Sequence, residues 1–398
     1  MKPMFAQPSV WTVMVALLGV HLAGMGAFLT IPVLAPAIAA ETGLAASLTG
    51  YNTALVYGGA LISGPFTATL LRAWGGVRLL QIGLCLIACG ILLALVGTPT
   101  ALAASALLAG FGHGPVTPAG SHLLASRAPP HQRSLIFSLK QCGVPAGNMM
   151  VAALAPAVGV AFGWRWGAAT IALVAVLVAI SLQPLRAALD ADRVPGTRID
   201  GSALREAASS LALLRQHRAL LCLTLAAAGF GASQFCFASF FVVWQVEVLG
   251  VALGQAGIAL AIGQGAGVAG RVAWGFMADR VGALPVLTGL GLGTVVSGLV
   301  LAVAGPGWPQ AMIILAGMAM GATAVGWNGV LLAEAARVVP AGRAGAATAA
   351  LGVVFGGAML VSPSLFSALV QATGGYSAGF VMCAVLAGLG TLALRGAK

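Results

Sequence analysis

The segment Gly270-Arg-Val-Ala-Trp274-Gly-Phe-Met-Ala-Asp279-Arg280-Val-Gly282 separates two uncharged apolar stretches, 248–270 and 281–333. Arg271, Asp279 and Arg280 make this segment more polar than the stretches on either side. Short polar segments of this kind join two membrane-spanning helices. A membrane-spanning helix needs about 20 apolar residues. The stretch before this segment has the length of one such helix, and the stretch after it has room for two.

Similar uncharged stretches recur over residues 3–40, 42–71, 79–126, 141–164, 166–185, 219–246 and 344–394. Three stretches in the chain are about twice the length of one span or more. Each of these contains a central break, at Gly97-Thr98-Pro99-Thr100, Gly305-Pro306-Gly307-Trp308-Pro309 or Thr373-Gly374-Gly375. We interpret each break as a tight turn between two helices. The sequence therefore predicts an all-α membrane protein with twelve transmembrane helices.

The Lys and Arg residues fall almost entirely on one side of the membrane in this arrangement. Of the 19 such residues, 17 lie at the termini or in connections on the same side, whereas Arg165, Glu41 and Glu247 lie on the other. Because Lys and Arg accumulate in cytoplasmic loops, we expect both termini in the cytoplasm and the protein in the cell inner membrane. The net charge of +11 then reflects orientation and contact with anionic lipid headgroups, and no nucleic-acid partner is expected.

The predicted helices form two similar halves. Arg127-Ala-Pro-Pro-His-Gln-Arg133 follows the fourth helix and Arg337-Val-Val-Pro-Ala-Gly-Arg343 follows the tenth, so the pattern R-x-x-P-x-x-R recurs 210 residues later. The predicted domains are a first six-helix bundle over residues 1–185, a charged cytoplasmic linker over 186–218 and a second bundle over 219–398. Parallel repeats of this kind place a transporter's site between the halves, near the middle of the membrane.

The segment 270–282 resembles the G-R-x-x-W-G-x-x-A-D-R-x-G signature of the major facilitator superfamily. With the repeated halves and the linker, the resemblance covers essentially the whole chain. It implies two six-helix bundles, related by a pseudo-two-fold repeat, that rock about a central cavity and give alternating access. The signature identifies the superfamily and leaves the substrate open.

The resemblance also implies a set of gating residues. In the superfamily, the acid of the signature lies at a cytoplasmic helix end and locks the halves when the inner gate is closed. Asp279 would have this role, facing the start of the fifth helix near Arg133, with Arg280 beside it and Arg337 as a partner. The alternative is an ordinary solvated loop acid. The matching loop of the first half lacks the acid, and Glu334 is a candidate for the missing negative charge.

Lys140 is the basic residue placed most deeply in a predicted helix. It follows Arg133 by seven residues, which is about 10 Å at 1.5 Å per residue. A cation at that depth is costly unless it pairs, faces water or snorkels. Lys140 therefore either faces the cavity and binds an anionic substrate, with Gln141 and Asn148 on the same helix, or extends back to the cytoplasm. Other polar side chains can line a cavity or bridge helices, and those favoured as substrate contacts are Tyr57, Gln234 and Asn328.

No Asp or Glu lies deep in a predicted helix, so a buried carboxylate is not available as a proton carrier. Histidine titrates near neutral pH, and His21 and His113 lie within the first and fourth helices. Each is either a proton-coupling site or a buried histidine held by a hydrogen bond.

The sequence contains no Ser/His/Asp arrangement, metal-ligand cluster or phosphate-binding loop, so we expect no enzyme activity, no cofactor and no metal. The leading hypothesis is a monomeric secondary transporter that moves a small organic anion, coupled to protons. A drug or metabolite efflux antiporter is the alternative within transport. A non-transporting membrane sensor on the same fold is disfavoured, because a gate lock at Asp279 is useful only to a protein that moves.

Overall fold

The computed structural model describes residues 8–125, 127, 129, 136, 139–194, 197, 210–340 and 343–397. Within these ranges every regular element is a helix, as predicted. Apolar stretches form helices because a bilayer offers the backbone no hydrogen-bond partners, whereas a helix satisfies its backbone groups internally. We number the membrane-crossing helices, or pairs of helices, as spans 1 to 12 in chain order.

The first half contains spans 1 to 6. Span 1 consists of Val10–Gly24 and Gly26–Thr42, and span 2 consists of Ala46–Leu48, Thr49–Ser63 and Thr67–Trp74. Span 3 is Gly76–Ala94, and span 4 consists of Pro99–His113 and Val116–Ala125. Span 5 is Leu139–Phe162, and span 6 consists of Trp164–Ser181 and Arg186–Leu189.

The second half contains spans 7 to 12. Spans 7, 8 and 9 are Arg218–Leu249, Leu253–Val281 and Ala283–Val303, span 10 consists of Gln310–Ala324 and Asn328–Arg337, and spans 11 and 12 are Ala344–Thr373 and Ser377–Ala393. In the described ranges, 11 helical stretches are long and apolar enough to cross a membrane. Span 4 is not among them, because Gly114-Pro115 divides it into two shorter helices. The predicted count of twelve spans agrees with this arrangement.

The three breaks expected inside the longest apolar stretches are turns in the structure. They separate Ala94 from Pro99, Val303 from Gln310 and Thr373 from Ser377. Each turn contains a left-handed glycine: φ is 77° at Gly97, 96° at Gly307 and 70° at Gly374. Glycine adopts this backbone without the clash that a Cβ would introduce. These turns therefore end one span and start the next within a few residues.

Spans of the same half approach each other closely at glycines. Gly83 of span 3 lies against the backbone of Gly112 in span 4, and Gly263 of span 8 lies against the backbone of Gly321 in span 10. Small residues let membrane helices approach in this way. A side chain at any of these positions would push two backbones apart.

The two halves contact each other along spans 2 and 11, spans 5 and 8, and spans 1 and 7. Toward the face opposite the termini, Ser367 Oγ donates to the Ser47 carbonyl at 2.6 Å, and Thr53 Oγ1 lies 2.9 Å from Ser239 Oγ. Gly257 of span 8 lies against the backbone of span 5 at the other seam. The halves are therefore closely joined at this face.

Near the face that carries the termini, the packing is mainly within each half. Val116–Ala125 of span 4 packs on spans 1, 2 and 3, and Asn328–Arg337 of span 10 packs on spans 7, 8, 9 and 11. The contacts that join the halves, in the part of the chain that the structure describes, are thus concentrated toward the opposite face.

The polar segment 270–282 differs from its expected form. Span 8 continues as a helix to Val281, and the connection to span 9 is reduced to Gly282, where φ is 93°. Arg271 therefore lies inside span 8 and not in a connection. The helix tolerates this charge because the guanidinium reaches backbone carbonyls of two neighbouring spans.

The loop between spans 2 and 3 has no acidic residue of its own, and a carboxylate from the end of span 6 bonds to its backbone. Asp190 accepts hydrogen bonds from the backbone N–H groups of Val77 at 2.7 Å and Arg78 at 3.0 Å, at the start of span 3. A carboxylate at a helix N-terminus is favourable, although burial raises the pKa of the Asp190 carboxyl. The beginning of the 186–218 segment is further held by a bond of 2.7 Å from Val194 N to the Arg72 carbonyl.

Candidate functional site

Span 1 is interrupted at Met25, span 4 at Gly114-Pro115 and span 10 at residues 325–327, and 3-10 turns interrupt span 2 at Gly64–Phe66 and span 6 at Gln183–Leu185. Pro115 and Val325 are 210 residues apart, which is the separation of the R-x-x-P-x-x-R repeats. Interrupted helices at matching positions of two halves are the best pointer to a transporter's binding site. The side chains around these breaks therefore form the candidate site.

Two side chains of the signature segment 270–282 donate hydrogen bonds to the backbone at the break in span 10. Arg271 Nε donates to the Val325 carbonyl at 3.1 Å, and Trp274 Nε1 donates to the Ala322 carbonyl at 2.9 Å. A broken helix leaves carbonyls without intrahelical partners, and these two donors of span 8 satisfy them. The spacing of Arg and Trp in the signature thus places both side chains against span 10.

Lys140 lies inside the first half, with 1% of its surface exposed. Its Nζ donates to Ser121 Oγ at 2.7 Å and to the Thr117 carbonyl at 3.2 Å, both on the helix that follows the span 4 break. The ammonium is therefore held against span 4 and does not extend to the surface of the bundle.

His21 of span 1 lies beside Lys140, across Gly120 of span 4. A Cβ at Gly120 would be 3.5 Å from His21 Cε1 and 3.8 Å from Lys140 Nζ, so this glycine leaves room for both side chains. His21 Nδ1 lies 2.9 Å from the Leu17 carbonyl, which assigns the proton of the neutral ring to Nδ1. His21 Nε2 is buried and has no hydrogen-bond partner among the described atoms. Its lone pair is therefore available to a proton or a donor.

His113 belongs to an aromatic layer between the halves. Its Nδ1 lies 3.2 Å from the Gly24 carbonyl at the span 1 break, and its ring packs edge-on against Phe28 with centroids 4.6 Å apart. The Tyr57 ring is 4.7 Å from Phe28 and 5.1 Å from Phe235 of span 7. The sequence analysis named His113 and Tyr57. It missed Phe28 and Phe235, which no sequence signal separates from other apolar residues.

The predicted amide side chains occur in pairs. Asn148 Nδ2 donates to Gln264 Oε1 across the two halves at 3.4 Å, and Asn328 Nδ2 donates to Gln234 Oε1 at 3.4 Å. Three buried amide atoms near this level have no hydrogen-bond partner in the described structure: Asn148 Oδ1, Gln264 Nε2 and Gln141 Oε1. An unsatisfied buried polar atom costs about 1–3 kcal/mol. These atoms are therefore candidates for hydrogen bonds to a substrate or to water.

Arg271 adds a second cation that the sequence analysis assigned to a connection. Its Nη1 donates to the Gln141 carbonyl of span 5 at 2.7 Å, so the side chain joins the two halves. The sequence contains a signal for this position, which is the distance from Arg271 to Asp279. Eight residues of continuous helix correspond to about 12 Å. That distance places Arg271 more than two helical turns before the end of span 8.

The residues expected to form a gate are not all in contact. Asp279 is exposed near the end of span 8, and no described residue forms a hydrogen bond or ion pair with it. The guanidinium of Arg280 lies over the Phe276 ring, 4.1 Å from its centroid. Arg133, and the start of span 5 that Asp279 is expected to face, lie outside the described residues.

Glu334 and Arg337 form a bidentate ion pair within span 10. The two N–O distances are 2.8 and 2.6 Å, and Glu334 is buried whereas Arg337 is exposed. Arg337 is thus bonded to Glu334 and not to Asp279. The acid that serves the first-half loop is Asp190, described above, and not Glu334.

The arrangement offers binding chemistry. Lys140 and His21 lie together inside the first half, whereas Arg271, His113 and the amide pair of Asn148 and Gln264 lie where the two halves meet. In the described ranges, no group of three or more His, Cys, Asp or Glu residues is placed to hold a metal ion.

The sequence model of the Major Facilitator Superfamily matches residues 16–363. No curated protein sequence matches the chain. Among solved structures, a mutant of the nucleoside transporter NupG superposes with a TM-score of 0.75 at 12% identity, covering 98% of this chain and 100% of that one.

Two further solved structures are similar. The peptide transporter POT in complex with sulfate has a TM-score of 0.74 at 16% identity, covering 96% of this chain and 94% of that one. A bacterial homologue of the human lysosomal transporter Spinster, in an inward-facing and occupied conformation, has a TM-score of 0.71 at 16% identity, covering 99% and 97%. At these identities the likeness shows a shared fold.

Proposed function

Because this chain belongs to the Major Facilitator Superfamily, we propose that it is a secondary transporter that carries a small organic anion across the cell inner membrane by alternating access, with proton symport. Both termini lie in the cytoplasm in this proposal, and the protein works as a monomer.

The observation that carries the anion proposal is the pair of cations within the spans, the buried Lys140 and the half-buried Arg271. Arg271 bonds to the carbonyl of Gln141, which directly follows Lys140, and Gly120 lies beside both Lys140 and His21, so the three groups share one region of the protein. Three carboxylates of the described spans bond elsewhere, Glu41 with Arg165, Glu247 with Tyr376 and Glu334 with Arg337, and a fourth, Asp279, is exposed near the end of span 8. In a medium of low dielectric constant, two opposite charges attract several-fold more strongly than in water. A substrate carboxylate near Lys140 and Arg271 would be held by this attraction.

The amides would supply hydrogen bonds that depend on the substrate's shape. Asn148 Oδ1 accepts and Gln264 Nε2 donates, and the two groups lie on opposite halves. A substrate that bonds both would contact both halves at once. Release would then follow when the halves separate, as alternating access requires.

Proton coupling is assigned to His21. His21 and Lys140 lie on either side of Gly120, so an anion bound beside Lys140 would also be close enough to attract a proton on His21 Nε2. Anion binding and protonation of His21 therefore favour each other, and by linkage the effect is reciprocal. His113 is the second candidate, although its Nδ1 already contacts the Gly24 carbonyl.

The alternative, efflux of a drug-like compound, is favoured by one specific feature. Phe28, Tyr57, Phe235 and Phe355 form an aromatic layer between the halves, with neighbouring ring centroids 4.7 to 6.5 Å apart. Such a layer suits an apolar aromatic compound better than a small carboxylate.

Counterflow in proteoliposomes tests the proposal. Vesicles loaded with a panel of unlabelled carboxylates should take up the matching labelled compound, faster when the outside is acidic, and Lys140→Ala should abolish the uptake. Arg193→Ala, a charge change in the polar 186–218 segment, is the matched control and should transport normally. Exchange of lipophilic drugs without exchange of anions would favour the efflux alternative, and exchange of no compound would favour the sensor.

A further inference from the structure

We propose that the protein has a second ligand site, for a neutral amphiphile with one aliphatic chain and one head that both donates and accepts hydrogen bonds. The site is a pocket of about 190 Å³ between spans 1, 2 and 4, toward the face opposite the termini. The segment 44–48, which joins spans 1 and 2, forms part of its wall. No residue of the proposed anion site lines this pocket.

The head group is indicated by Asn52. This side chain lines the pocket and is 9% exposed, and neither its Oδ1 nor its Nδ2 has a hydrogen-bond partner in the described structure. Thr49 Oγ1, one turn earlier on the same helix and also lining the pocket, is buried without a partner as well. Each such atom costs about 1–3 kcal/mol when left unsatisfied. These atoms are shielded in the conformation described, so a rotation of the Asn52 and Thr49 side chains toward the pocket would let a ligand head bond to both groups and remove that cost.

The charge of the head follows from the remaining wall. No charged residue lines the pocket, and all the lining residues belong to the described ranges. A charged head would lose its hydration without gaining an ion partner. Asn52 offers one acceptor and one set of donors, so the matching head is neutral and has both functions. A primary amide fits this description.

The aliphatic chain is indicated by the depth of the pocket. Thr49 begins its helix, and Leu55 lies six residues further into the membrane, which is about 9 Å at 1.5 Å per residue. Ile31, Ala35 and Leu102 line the pocket together with Leu55, so its inner part is aliphatic. The polar end near Thr49 and Asn52 is therefore the outer end. A chain of about eight to ten carbons would fill a depth of this order.

The pocket adjoins the closed contact between the halves. Ser47, whose carbonyl accepts the bond from Ser367 of span 11, lies in the wall segment. A bound amphiphile would hold this segment in place. The site therefore gives a lipid-like molecule a way to stabilise the state in which the opposite face is closed.

Photolabelling of the purified full-length protein in nanodiscs tests the site. A decanamide that carries a diazirine near the end of its chain should label residues 31–55 or 99–103 saturably. Unlabelled decanamide should compete at least tenfold better than N,N-dimethyldecanamide, which lacks the donor. Asn52→Leu should reduce labelling at least tenfold, and Ala35→Phe, which fills the inner part, should abolish it. Thr170→Ala on span 6 is the control and should label like the wild type.

Three results would overturn the proposal. They are equal competition by the two amides, labelling that neither Asn52→Leu nor Ala35→Phe reduces, and labelling of the pocket by a photoreactive phospholipid but not by the amide. The last result would identify an ordinary acyl chain of the bilayer. A thermal melting curve of each variant shows that it is folded, and Ala35→Phe tests the site independently if Asn52→Leu does not fold. Failure of anion transport would leave this test unaffected.

Discussion

The guanidinium of Arg271 donates a hydrogen bond to the carbonyl of Gln141 at 2.7 Å, and this bond joins span 8 of the second half to span 5 of the first. Gln141 directly follows Lys140, so the proposed anion-binding group and a contact between the halves share one turn of helix. A movement of this turn toward a substrate would alter the bond to Arg271. In the proposed mechanism, substrate binding and the relative position of the halves would thereby be connected through adjacent residues.

We expect Arg271→Lys to weaken this connection. A lysine ammonium lacks the planar fork that lets one side chain reach the carbonyls of both Gln141 and Val325. A hydrogen bond from a charged group contributes about 1.5–3 kcal/mol, so the balance of conformations should shift by about tenfold or more. Distances between spin labels at Ala125 and Ala336, in a background without native cysteines, measure that balance. An unchanged distance distribution would show that the bond does not hold the halves.

Lys140→Ala should abolish substrate binding while the protein still expresses and folds, because the variant lacks the proposed anion partner. Lys140→Arg should bind poorly, since the guanidinium differs from the ammonium in shape and reach. Titration calorimetry with the ligand found by counterflow compares both variants with the wild type and with the control Arg193→Ala. Wild-type affinity in Lys140→Ala would refute the organic-anion proposal.

Asp279→Asn should keep the fold and lower the transport rate. In the described part of the chain Asp279 has no partner, so its carboxylate is expected to act when the face that carries the termini closes. Asp192→Asn is a matched control, because Asp192 is also an exposed acid and contacts His122 at 3.2 Å. Equal transport rates in Asp279→Asn and in the control would make Asp279 an ordinary loop acid.

Gly50→Val should open the face opposite the termini. Gly50 of span 2 lies against the Pro363 carbonyl and the Phe240 ring, so a side chain there would force spans 2 and 11 apart. Overpacking of this kind costs about 1–3 kcal/mol. A cysteine at Ser47 should then react faster with a membrane-impermeant maleimide. Gly64→Val is the control, because no atom lies within 4 Å of the position that a Cβ would take there. Equal reactivity in both variants would show that the side chain at residue 50 does not separate spans 2 and 11.

Reporter fusions at Lys398 and within residues 190–200 should both report the cytoplasm. This expectation follows from the one-sided distribution of Lys and Arg. A fusion in the connection at Gly305 provides the opposite control. A periplasmic report from either of the first two positions would exclude the proposed orientation.

The spans and their turns were predictable because they depend on local properties. Apolar length determines which segments can cross a membrane, and glycine and proline mark the turns, as at Gly97-Thr98-Pro99 and Gly307. The repeat could also be found, since R-x-x-P-x-x-R needs no knowledge of packing. The match between the breaks at Pro115 and Val325 follows from the same repeat.

The contacts within the site were less predictable, because they depend on how each helix is rotated about its axis. Asn148 and Gln264 pair across the halves, and nothing in either helix alone indicates this. Arg271 was misplaced because the charge was taken as the end of a span, whereas its bonds to carbonyls let the helix continue. Asp190 supplies a carboxylate to a loop that lies more than 100 residues earlier in the chain.

The breaks make the two halves mechanically unequal. In the first half, span 1 is interrupted at Met25 and span 4 at Gly114-Pro115. The imidazole of His113, next to the break in span 4, contacts the Gly24 carbonyl, next to the break in span 1. In the second half, span 10 is interrupted and span 7 is one continuous helix. Two side chains of span 8, Arg271 and Trp274, donate hydrogen bonds to backbone carbonyls at the break in span 10 and so hold it in place. The first half is therefore the more compliant of the two. We expect it to deform first when the protein changes shape, with the second half acting as the stiffer frame.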